Sequence, residues 1–127
     1  MSAHRLLDPR LDLVFKMLLA RPENHPLLIS FLRAVLGLPI TFVEVIESEL
    51  PKETVDDKGV VLDIRARLAD GSQVDVEMQS QARRARRERA LYHWSRMFSS
   101  QLVRGGQYDN LCNCYVIFIF DFVEFCN

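Results

Sequence analysis

Residues 60–81 read VVLDIRARLADGSQVDVEMQSQ, and their alternation decides the fold. Leu62, Ile64, Ala66 and Leu68 share one side of an extended chain. Val74, Val76 and Met78 continue that apolar side after a turn. Asp63, Arg65 and Arg67 take the other side, with Gln73, Asp75, Glu77 and Gln79. The pattern predicts a β-hairpin with one buried and one polar face.

The turn, Ala69-Asp70-Gly71-Ser72, sets the register. A two-residue Asp-Gly turn pairs Ala69 with Ser72 and Asp63 with Met78, which sets the apolar face of one strand against the polar face of the other. A three-residue loop, Ala69-Asp70-Gly71, places Gly71 in the left-handed conformation with a G1 bulge. It pairs Leu68 with Ser72, Arg65 with Asp75, and Asp63 with Glu77, so the faces agree. Because burial sets register, the odd loop is predicted. Arg65 and Asp75 then form a favourable cross-strand pair.

Working outward, Asp8-Pro9 is a helix start, with Leu11, Phe15, Leu18 and Leu19 at helical spacing up to Pro22. A second helix runs from about Asn24–Pro26 to Gly37, burying Leu27, Leu28, Phe31, Leu32, Val35 and Leu36. Ile40–Ile46 reads as a strand, and the acidic stretch 47–59 as a loop. From Arg83 to Arg104 the period becomes helical, with Ala90, Leu91, Trp94, Met97, Phe98 and Leu102 as the apolar stripe and Gly105-Gly106 as its end. Tyr115–Phe122, YVIFIFDF, suits a strand buried on both faces. The order is helix, helix, three strands, long helix, strand: one α/β domain over residues 1–127.

The chain has 127 residues, 49% hydrophobic and 26% charged, with a net charge of −1. The charge is uneven: residues 41–80 hold ten of the seventeen acidic groups, and 83–104 hold seven arginines. Such a basic segment can attract phosphates. Cys112, Cys114 and Cys126 lack zinc-site spacing and read as reduced thiols of a cytoplasmic protein. The N-terminus has no apolar core of a signal peptide, and no apolar run reaches membrane-spanning length, so no membrane partner is expected.

Asp63 and Glu77, directly opposed, would repel one another. A hard divalent cation would reverse that, since Mg²⁺ binds one or two carboxylates together with waters and phosphate oxygens. The alternative is a solvated polar face, a common place for acidic residues.

Asp63, then Glu77-Met78-Gln79 on the next strand, then a basic helix, resembles the PD-(D/E)XK nuclease superfamily. More narrowly, the chain is similar to its recombination-promoting nuclease and transposase family of bacteria. The resemblance is carried by Asp12-Leu13-Val14-Phe15-Lys16, Leu62-Asp63-Ile64, Asp70-Gly71, Val76-Glu77-Met78-Gln79, Arg89-Ala90-Leu91-Tyr92, and Gln101-Leu102 with Gly105 and Tyr108. It implies a restriction-endonuclease-like α-β-β-β-α-β core with a mixed sheet flanked by helices. It also implies a metal-dependent DNA endonuclease tied to recombination or mobile elements. Asp63 and Glu77 would hold Mg²⁺ or another divalent ion, with the Met78 carbonyl as a further ligand. Gln79 stands where the superfamily usually has lysine; an amide can position a water but cannot take its proton. Asp12, beside Lys16, is the candidate for an additional first-helix acid; the other reading is an i, i+4 surface ion pair. Family members usually extend beyond the last core strand, so this chain is expected to be C-terminally shortened.

Arg83, Arg84, Arg86, Arg87 and Arg89 cluster at the start of the long helix, shortly after the Glu77-x-Gln79 strand. Arginine grips phosphates bidentately, so these residues are candidates for DNA-backbone contact without sequence preference; a solvated helix face is the other reading. His93 reads as a surface histidine. A function of a different class stays open: a catalytically inactive DNA-binding or interaction module, a shortened transposase-like relic. A homo-oligomer is compatible with either.

Overall fold

The computed structural model describes residues 10–52, 54–56, 59–79 and 86–120. Helix α1 spans Arg10–Ala20 and α2 spans His25–Leu36. Helix α2 stops at Gly37, whose φ of 67° is left-handed and whose N–H donates to the Arg33 carbonyl at 3.0 Å. Strands β1 (Val43–Ile46), β2 (Glu49–Leu50), β3 (Val60–Val61), β4 (Ile64–Leu68) and β5 (Gln73–Gln79) follow, then α3 (Arg86–Ser99) and β6 (Cys114–Phe120). The main sheet has the order β1-β4-β5-β6. β1, β4 and β5 are antiparallel, and β6 joins β5 in parallel through α3, which makes the sheet mixed. The helix and strand order agrees with the α-β-β-β-α-β expectation.

The hairpin has the odd loop. Arg65 pairs with Asp75 and Ala66 with Val74. Leu68 N–H donates to Ser72 O at 2.8 Å, Gly71 N–H returns to Leu68 O at 3.0 Å, and Gly71 has φ 87°. A Cβ on Gly71 would also come within 2.8 Å of Cys112 Sγ, so glycine is required there both for φ and for space. Asp70 Oδ1 accepts the Ser72 N–H at 2.9 Å and closes the turn.

Two apolar clusters lie on opposite sides of the sheet. Leu19, Leu28 and Leu32 of the first two helices pack on Val43, Ile64, Ala66, Leu68, Val74, Val76 and Ile117. On the α3 side, Met97 packs with Leu50, Val60 and Leu62. Leu62 was expected beside Ile64. Instead the chain bends at Leu62-Asp63, between β3 and β4, and Leu62 turns to the other side. The stretch expected to be a loop contributes β2, which pairs with β3: Glu49 opposes Val61 and Leu50 opposes Val60. β6 is an edge strand, covered on both faces, with Ile117 buried and its neighbours half-buried.

Helix α3 does not lie as its apolar residues suggest. Met97 and His93 are buried, whereas Leu91 is 65% exposed and Trp94 37% exposed. The covered stripe is Ala90, His93, Met97 and Ser100, at spacings of three and four. Trp94 lies at the margin; its indole N–H donates to the Cys114 carbonyl at 2.8 Å and its ring stacks on Phe98. Gln101 holds the chain leading into β6 by two hydrogen bonds to the Cys112 backbone, of 3.0 and 2.8 Å. His93 is therefore not a surface residue.

This orientation separates two substitutions of similar chemistry. Met97→Ala should lower stability by about 2–5 kcal/mol, as expected for emptying a full core site. Leu91→Ala should stay within about 0.5 kcal/mol of the parent. Urea denaturation of both variants decides the matter, because the reverse ranking would mean that α3 is rotated.

Candidate active site

The polar face of β5 is covered. Gln73, Asp75 and Glu77 sit on the side of the strand that α3 overlies, and they are 5%, 0% and 3% exposed. Sequence periodicity left this face open to solvent or a ligand. The bulk of α3, pinned by Met97 and by Gln101, closes it.

Asp63 and Glu77 meet at the bend before β4. The Asp63 N–H donates to Glu77 Oε2, and the Met78 N–H donates to Asp63 Oδ2 at 3.0 Å. Each carboxylate thus grips the backbone beside the other, an arrangement that opens only because the chain leaves the β4 ladder at Asp63. Lys16 reaches across from α1, with Nζ 3.2 Å from Asp63 Oδ1. Of Asp12, only the backbone within α1 is described, so its accessory role lies outside the described side chains.

The remaining candidates divide. Gln79 ends β5, opposite Phe120 of β6, and its side chain lies outside the described residues. Arg83 and Arg84 also lie outside them, as does the side chain of Arg86, the first residue of α3. Arg87 and Arg89 are exposed on the first turns of α3. Arg65 opposes Asp75 in register but does not pair with it as expected. Its Nε donates to Gln73 Oε1 at 2.9 Å, while Nη1 approaches the Glu47 carbonyl at 3.2 Å. A diagonal partner and a carbonyl in the β2 approach offer the guanidinium better-aligned acceptors than the buried carboxylate beneath it.

Two residues at this site escaped the sequence reading. His93 Nδ1 lies 3.1 Å from Glu77 Oε1 and 3.7 Å from Asp75 Oδ2. The signal for Asp75 was present, because it shares the Glu77 face of β5. The signal for His93 was its position four residues before Met97, which a wheel centred on Leu91 and Trp94 hides.

Electrostatics follow from this burial. Burial and then the Glu77 charge push the Asp63 carboxyl up, against the Met78 N–H and Lys16. Burial pushes Asp75 up to about 8. Burial also acts to raise Glu77, but His93, Asp75 and the Asp63 N–H outweigh it and hold that carboxyl below its usual range. Asp75 and Glu77 together raise His93 to about 9, against its own burial.

A raised His93 stabilises the folded chain fully below its ordinary value of 6.5, and that contribution is lost as pH rises through about 9. Asp75 acts in the same direction: the folded state holds its proton up to about 8, so its contribution fades from 3.8 toward that value. With EDTA present, the urea midpoint should fall between about pH 7 and pH 9.5, and His93→Gln should flatten the upper part of that fall. A flat or rising midpoint in the parent protein would contradict this charge arrangement.

The chain matches, over residues 9–126, the family described as PD-(D/E)XK nuclease family transposase. No significant match was found among curated proteins or among solved structures. None of the described helices is long and apolar enough to cross a membrane. The mixed four-stranded sheet, with two helices on one side and α3 on the other, has the restriction-endonuclease-like arrangement. With residues 9–126 of its 127 residues matched to that family, the chain belongs to the PD-(D/E)XK nuclease transposases.

Proposed function

We propose that this protein is a divalent-metal-dependent DNA endonuclease that hydrolyses phosphodiester bonds during recombination or the movement of mobile elements in a bacterial cytoplasm. One observation carries the reading. The Asp63 and Glu77 carboxylates are interlocked at the bend before β4, each accepting a backbone N–H next to the other. Membership of a nuclease family supports it, since nucleases of this superfamily use divalent metals.

The donor set fits a hard cation. Two carboxylates, one from the bend before β4 and one from β5, suit Mg²⁺, which takes few protein ligands and leaves positions for water and phosphate oxygens. Asp63 and Glu77 would hold the ion, with the Met78 carbonyl as a further ligand. A bound ion would supply stabilisation of the charge that develops on the phosphoryl group.

The chain's own residues do the rest. Gln79, two residues beyond Glu77, has the sequence parity to share its face, and its amide orients the attacking water without accepting a proton. Lys16 contributes the positive charge that the glutamine lacks, at 3.2 Å from Asp63. Arg83, Arg84, Arg86, Arg87 and Arg89 grip the DNA backbone and give affinity without sequence preference.

The test is nicking of supercoiled plasmid by the full chain with Mg²⁺. Asp63→Ala and Glu77→Ala should each lower the rate by about 10²-fold or more, and EDTA should stop it. Arg87→Ala with Arg89→Ala should weaken DNA binding evenly across sequences and reduce the salt slope by about one per lost phosphate contact. Cleavage by both carboxylate variants at the parent rate would refute the site. If the parent binds DNA with a steep salt slope but never cuts, the inactive DNA-binding module replaces the nuclease reading.

A further inference from the structure

The nuclease reading uses Glu77 and leaves its neighbours Asp75 and His93 without a task. Both are buried, at 0% and 7% exposure. Among the described residues, no protein group donates a hydrogen bond to either oxygen of Asp75. Its nearest cation, His93 Nδ1, stands 3.7 Å away, beyond hydrogen-bond range. The same nitrogen is 3.1 Å from Glu77 Oε1 but lacks the alignment of a hydrogen bond. Buried carboxylates ordinarily accept hydrogen bonds, so one that accepts none and is aimed into a cluster calls for a ligand.

Charge points the same way. Two carboxyl groups and one imidazole converge in a site closed by α3, where any unbalanced charge is costly. A divalent ion with a neutral imidazole brings the same three side chains to neutrality. One donor atom from each of Asp75, Glu77 and His93 lies within 4.8 Å of the others. Ligands of one ion, with bonds of about 2.0–2.2 Å, lie at most about 4.4 Å apart, so small side-chain rotations close the gap.

We propose that Asp75, Glu77 and His93 form a second cation site beneath α3, taking a transition-metal ion of the Mn²⁺ or Zn²⁺ class through the two carboxylates and His93 Nδ1. The imidazole sets the selectivity. Nitrogen donors suit transition metals, whereas Mg²⁺ and Ca²⁺ favour all-oxygen shells. The bound ion would tie β5 to α3. Asp63 and Lys16 take no part, so the site stands whether or not the protein cuts DNA.

The test uses the metal-stripped full chain and Mn²⁺ as the probe. Electron spin-echo measurements on Mn²⁺-loaded wild-type protein should show ¹⁴N modulation from a histidine ligand. Asp63→Asn should keep that modulation. His93→Gln should abolish it, and Asp75→Asn should weaken Mn²⁺ binding by about tenfold or more. Mn²⁺ and Zn²⁺ should raise the unfolding temperature at concentrations where Mg²⁺ does not. Circular dichroism identifies any variant that fails to fold, and the wild-type nitrogen signal and metal ranking stand without it. Absence of ¹⁴N modulation in the wild type overturns the site. So does its persistence in folded His93→Gln, or loss of all Mn²⁺ binding in Asp63→Asn. A failed nicking assay, in contrast, bears on the Asp63–Glu77 reading and leaves these results untouched.

Discussion

Three residues, not two, form the loop between the paired Leu68 and Ser72, and that count fixes which side chains α3 must cover. Strand residues alternate, so a loop shorter by one would set Val74 and Val76 against the charged face of β4. With Gly71 at φ 87°, Val74 and Val76 instead join Leu28 and Leu32 under α1 and α2. Gln73, Asp75 and Glu77 then have only the opposite side to occupy. The buried polar row is thus a consequence of satisfying the larger apolar cluster. Within the hairpin, Arg65 donates to Gln73 and the Asp63 N–H to Glu77, but no hairpin group donates to Asp75, so the remedy there had to come from another element.

That element is α3, and its orientation is a compromise between apolar burial and charge. Turning Leu91 and Trp94 inward would bury more hydrocarbon, at roughly 25 cal/mol per Å² removed from water. It would also leave Asp75 and Glu77 facing apolar side chains without a cation, and an uncompensated buried charge costs about 3–5 kcal/mol. Losing the burial of one partly exposed leucine costs less than that. His93 therefore faces the sheet, Met97 fills the space beside it, and the aromatic pair Trp94–Phe98 settles at the margin. The hydrogen bond from the Trp94 indole to Cys114 makes that marginal position tolerable, since the ring keeps a partner for its one donor.

The same balance explains what could be read from the sequence. The hairpin register was legible because two independent constraints, a period of two and the need for left-handed backbone at Gly71, agree. The strand β6 and helices α1 and α2 were legible as elements from long apolar patterns, although Leu27 and Val35, expected to be buried on α2, are exposed and only Leu28 and Leu32 are fully buried there. The face of α3 was not, because a helical wheel ranks residues by hydropathy and knows nothing of the carboxylates opposite. His93 was misplaced for this reason alone. The bend at Leu62-Asp63 was also hidden: Leu62 fits the alternation of β4, yet it packs with Met97 on the other side. The β2–β3 ladder, two residues on each side, is too short to carry a period. Of the site, the pairing of Asp63 with Glu77 followed from register, whereas Lys16 meeting Asp63 depends on how α1 crosses the sheet, which no local pattern encodes.

Glu77 is where these constraints converge. Its Oε2 faces the bend and the Asp63 backbone, and its Oε1 faces His93 under α3. One carboxylate therefore couples an outer group, Asp63 with Lys16, to an inner group, Asp75 with His93. Because the Asp63 amide helps to hold Oε2, a change at the inner group that rotates Glu77 must loosen the bend as well. Residues in one such network do not contribute independently. Replacing His93 then disturbs a carboxylate that Lys16 never touches, and replacing Lys16 disturbs it only through Asp63. Position along the β5 face, more than distance from the bend, decides how strongly each neighbour acts on Glu77.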